Sequence, residues 1–197
     1  MGYQVLQVKK KILGWEIGGF IFILIIGSIL HFAFELAGFW TPIAFVAPVN
    51  ESTWEHLKMV FWPGLFFFLL EYHYIRNQAA NFWTAKALSL VIMLLVITIG
   101  WYAMVAITGQ NIFAVNIALF ISAILLGQIV SYRVLTAQKP VKVKLHYAIL
   151  VIVFLGLAFI TFTYYPPKIF LFEHMDLMDT GQYGILNSYE GLLLFRK

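Results

Sequence analysis

Residues 15–37 read WEIGGFIFILIIGSILHFAFELA. A bilayer core about 30 Å thick needs roughly 20 apolar residues of helix at about 1.5 Å each. This run meets that length, and so do four more, at about 54–75, 83–107, 112–135 and 146–165. Turn-forming or polar stretches separate them: residues 38–49 with two prolines, Arg76-Asn77-Gln78, Gly109-Gln110-Asn111 and Gln138-Lys139-Pro140. The pattern predicts an all-α, polytopic membrane bundle of five transmembrane helices. It forms one membrane domain over residues 1–197, with a tail at 166–197. Composition agrees, because at 62% hydrophobic the chain of 197 residues has too few polar groups to cover a water-facing surface.

The absence of cysteine excludes disulfides, thiolate metal sites and a catalytic thiol. A net charge of +4 does not point to nucleic acid, since the basic residues stand at the ends of apolar runs. Lys9, Lys10 and Lys11 before an apolar run have the outline of a signal peptide. The run is too long for one and no small-x-small site follows, so a retained first helix is expected.

Lysine and arginine also set the direction. Lys9, Lys10, Lys11, Arg76, Lys86, Arg133, Lys139, Lys142 and Lys144 fall on one side. The loop after the third run has no basic residue, and the loop after the first has none before Lys58. The amino terminus is therefore expected inside and the tail outside, in a bacterial plasma membrane.

The first two runs then bring an unusual set of groups to the outer face. His31 and Glu35 are four apart and share a helix face. Asn50, Glu51, Ser52, Glu55, His56 and Lys58 crowd the start of the second run. An antiparallel hairpin gathers two imidazoles and three carboxylates there, and an ionisable group inside a membrane is a candidate for function. One reading is a divalent metal, zinc or manganese, held by His31, Glu35 and His56, with Glu55 a further candidate ligand. Glu51 and Glu55 then serve as acid–base groups and Asn50 orients the substrate. Another is structural: Ser52 and Glu55 form a capping box, Lys58 pairs with Glu55, and His31 and Glu35 form a buried pair.

Pro63, in Trp62-Pro63-Gly64, falls mid-run and frees the Met59 carbonyl, so a kink is expected. Glu71, His73 and Arg76, among tyrosines, read as interfacial anchors. Pro166-Pro167 stops the last helix. The tail beyond is expected to lie back on the outer face, with His174, Asp176, and as lid residues Asp179 and Tyr183, near the first loop.

With VNESTWEH (49–56) opening a helix, HFAFELAG before it and YPPKIFLF and TGQYGI near the end, the chain resembles an uncharacterised family of small Firmicutes integral membrane proteins. The resemblance runs the whole length and implies the same five-helix topology with a polar loop after the first helix. The tail departs from that pattern at EHMDLMD. No activity follows from it. The residues themselves suggest a metal-assisted hydrolase or transferase acting on lipid or envelope precursors. A small proton- or cation-coupled transporter and a noncatalytic assembly partner are the other readings.

Overall fold

The computed structural model describes residues 2–79, 81–137, 143 and 145–174. Five long helices lie over the five apolar stretches: α1 (Gly2–Leu36), α2 (Thr53–Ile75), α3 (Phe82–Thr108), α4 (Phe113–Leu135) and α5 (Leu145–Tyr164). Short 3-10 turns follow α1 (Thr41–Phe45) and α5 (Phe170–Phe172). The largest departure from the sequence reading is α1, which runs 35 residues from Gly2. The apolar-length rule places a helix start at the edge of the grease. Lysine is a good helix former, however, and Lys9 to Lys11 simply continue the helix. Lys139, Lys142 and Lys144 lie outside the described residues.

Helix α1 packs against α2 and α4, and α3 against α2 and α4, closing a ring of four; α5 covers α2 and α3. Phe61, Phe68, Leu90, Met93, Ile124 and Phe159 fill its middle, all fully buried. Polarity is inverted relative to a water-soluble bundle. Ile29 is 55% and Phe154 64% exposed, while Lys58 and Lys86 are 0% exposed. Helices α1, α3, α4 and α5 are long and apolar enough to cross a membrane. Helix α2 carries Glu55, His56, Lys58, Glu71 and His73, and turns Glu55, Lys58 and Glu71 inward against its neighbours.

Two expectations are corrected. Glu71 is not an interfacial anchor: it is completely buried, while His73 and Arg76 are exposed. Its burial follows from its place on the face of α2 that meets α3, where Lys86 receives it. Lys86, read as a flanking charge, is likewise inside the bundle.

Helix α2 continues through Pro63. The Met59 carbonyl, left without its helical donor by that proline, faces α1 at Gly27. A side chain at Gly27 would collide with this carbonyl, so the glycine permits the close crossing of α1 and α2. Gly38 (φ +63°) and Phe39 (φ +61°) then turn the chain out of α1. At Phe39 the amide donates to the Phe34 carbonyl at 3.0 Å and the ring packs edge-on against Phe34 at 5.5 Å.

The segment after α5 folds back on the same end of the bundle. The Trp54 ring packs on Phe159 at 4.6 Å and Phe172 at 4.9 Å. Tyr102 donates its hydroxyl to the Phe170 carbonyl at 3.2 Å, and His174 forms an antiparallel bridge with Ser52. Asp176, Asp179 and Tyr183 lie outside the described residues.

Candidate metal centre

The loop between α1 and α2 is shaped by three local devices. Asn50 accepts the Ser52 amide on its Oδ1 at 2.8 Å, a turn that an Asx side chain makes readily. Ser52 caps α2 by accepting the Glu55 amide on its Oγ at 3.3 Å. The reciprocal half of the expected capping box is absent, because the Ser52 amide is already taken by Asn50. The Glu55 carboxylate instead reaches back to the Val49 amide at 3.0 Å.

Glu55 and Lys58 form a buried latch. Lys58 Nζ lies 2.7 Å from Glu55 Oε2, with 0% and 3% of the side chains exposed. The same ammonium donates to the carbonyls of Ala44 at 2.9 Å and Ala47 at 3.3 Å. Glu55 Oε1 accepts the Thr163 hydroxyl at 2.9 Å. These contacts tie the 3-10 turn, α2 and α5 together, and they occupy both carboxylate oxygens of Glu55.

Beside the latch, His31, Glu51 and His56 converge: each offers a ligand atom, and these lie within 4.8 Å of one another. His56 Nε2 is 3.3 Å from Glu51 Oε2. Tetrahedral zinc with ligands at about 2.0–2.1 Å sets them about 3.3 Å apart, so this pair already has the required separation. The His31 and His56 rings stand 5.2 Å apart between centroids. His56 Nδ1 is 2.9 Å from the Ser52 carbonyl. With Nδ1–H donated to that carbonyl the ring is oriented, and a metal at Nε2 would displace the proton that Nε2 otherwise donates to Glu51. His31 Nδ1 is buried without a hydrogen-bond partner among the described residues.

Burial pushes the Glu51 carboxyl up, but the hydrogen bond and charge of His56, with the charges of His31 and His174, outweigh it and hold the group below its usual value. Glu51 is thus an anion at neutral pH, the form a metal ion takes. Two imidazoles and a carboxylate make a donor set of catalytic rather than structural zinc centres, and also suit iron or manganese.

The sequence set for the metal was His31, Glu35 and His56; the cluster contains Glu51 in place of Glu35. Glu35 is exposed near the end of α1. Asn50 and Glu55 hold the loop and latch. His174 adds a buried third imidazole next to Ser52.

The chain matches, over residues 1–185, a family of unknown function, DUF6512. No curated protein and no solved structure matches it.

Proposed function

We infer a membrane metalloprotein from a chain that belongs to the DUF6512 family. All five helices cross a bacterial plasma membrane, with the amino terminus inside and the loop end outside. The basic residues at the opposite end support that direction, and the burial of Glu55, Lys58 and Glu71 supports a spanning α2 despite its charges. At the outer face His31, Glu51 and His56 hold one divalent metal, zinc or manganese. The observation that carries this is the convergence of their ligand atoms within 4.8 Å.

The bound metal supplies a Lewis acid and an activated water, suited to hydrolysis or group transfer. Glu35, released from the ligand set yet close to His31, serves as the acid–base group. Exposed Leu36, Trp40, Phe45 and Phe170 surround the loop end and suit a lipid or other amphiphilic envelope precursor as substrate.

Elemental analysis of the purified protein tests the metal. One divalent ion per chain is expected in the wild type, lost in His31→Ala, Glu51→Ala and His56→Ala and kept in Glu35→Gln. A wild type that holds no stoichiometric metal, as isolated and after reloading, would remove this reading. The other reading, a small proton-coupled transporter, draws support from a second buried ionic cluster at the basic end of the same bundle.

A further inference from the structure

At the end of the bundle away from the loop, each of the first four helices delivers a polar side chain to one interior point. Glu16 comes from α1, Glu71 from α2, Lys86 from α3, and Gln128 and Ser131 from α4, none more than 4% exposed. Lys86 Nζ lies 2.7 Å from Glu16 Oε1 and 2.6 Å from Glu71 Oε2, and donates to Ser131 Oγ at 2.9 Å. Ser131 in turn donates to Glu16 Oε1 at 2.7 Å. With its amide oriented to satisfy both ends, Gln128 donates to Glu16 Oε2 and accepts the Phe20 amide at 3.2 Å. The rings of Phe68 and Phe82 close over the ammonium at 4.6 and 5.4 Å.

The two carboxylates are not equivalent. Glu16 has both oxygens engaged by donors, as an ionised carboxylate requires. Glu71 meets the ammonium through Oε2 without hydrogen-bond alignment, and its Oε1, fully buried, has no partner among the described residues. One ammonium cannot neutralise two carboxylates, and an unbalanced charge in a low-dielectric interior is far more costly than a neutral carboxyl group. Closely placed carboxylates resolve this by sharing one proton.

A cleft of about 290 Å³ lies at the same end of the bundle. Val8, Lys9, Ile12, Gln78, Leu135 and Thr136 are among its lining residues. Ile12 stands one turn before Glu16, and Leu135 one turn after Ser131. Both side chains are buried.

We propose that Glu16, Glu71 and Lys86 form a proton-binding site holding one exchangeable proton, carried on Glu71 and reached from the basic end of the bundle through this cleft. The site is independent of the metal centre. A proton store of this kind is what a membrane protein needs in order to draw on a proton gradient.

Infrared spectroscopy of the full-length protein at neutral pH tests it. The wild type minus Glu71→Gln difference spectrum is expected to contain a carboxylic C=O band that shifts down in D2O. Glu16→Gln is expected to lose the same band, because Glu71 then ionises to pair with Lys86. Both single variants are expected to unfold near the wild-type temperature. The double variant Glu16→Gln/Glu71→Gln strands the ammonium and is expected to unfold well below either. Absence of the band from the wild type, a band unmoved by D2O, or a single variant as unstable as the double would overturn the proposal.

Discussion

At the start of α2, Glu55 and Lys58 decide whether the loop before them keeps its shape. Removing the ammonium leaves a buried carboxylate and strips the carbonyls of Ala44 and Ala47 of their donor. Lys58→Met is therefore expected to destabilise by about 3–5 kcal/mol, the range for breaking one side of a buried pair. Lys58→Met/Glu55→Gln should recover part of that loss, since no bare charge remains. Thermal unfolding in detergent reads both; a Lys58→Met protein as stable as the wild type would show that the latch is idle. The neighbouring Ser52→Ala should lower stability by about 1 kcal/mol through the lost cap. These roles were half legible beforehand. The spacing of Ser52, Glu55 and Lys58 announced a capped helix with a paired acid. That the carboxylate would reach Val49 rather than Ser52 depends on the Asn50 turn, which leaves no periodic trace in a sequence. The same turn places Glu51 on the histidines, so helix spacing alone favoured Glu35.

At the scale of elements, the pairing of α1 with α2 sets the site. Gly27 lies four residues before His31, and Met59 three residues after His56. The contact between Gly27 and the Met59 carbonyl is thus about one turn below the two imidazoles. Gly27→Ala is expected to force the helices apart, lowering stability by about 1–3 kcal/mol as overpacking does. It should also weaken metal binding although no ligand is touched. Gly14→Ala, where a methyl meets nothing within 4 Å among the described residues, is the control and should be neutral or stabilising. Equal metal affinity in Gly27→Ala and wild type would show that this crossing does not position the histidines. The helices themselves were legible, because apolar length and punctuation by Gly, Pro and Asn mark their ends, apart from the start of α1. The buried ionic cluster was not. Glu16, Glu71 and Lys86 each sit within a turn or so of a basic or aromatic flank, where charge is ordinary. Only the packing of four helices tells that all three turn inward.

For the whole molecule, the arrangement is a bundle with apolar sides, charges held inside and a polar site at each end. A chain without cysteine allows the topology to be read by single-cysteine labelling. Cysteine at Trp40 or Gln110 is expected to react with an impermeant maleimide on intact cells. Cysteine at Asn77 or Ala137 should react only after permeabilisation. Labelling of Asn77→Cys on intact cells would reverse the orientation. The most direct measurement on the proposed metal centre is the X-ray absorption spectrum of the zinc-loaded protein. Scattering from two imidazoles with Zn–N at about 2.0–2.1 Å, plus oxygen, is expected, with one imidazole lost in His31→Ala. A shell of oxygen alone, or one unchanged in His31→Ala, would contradict a centre built from the α1–α2 hairpin.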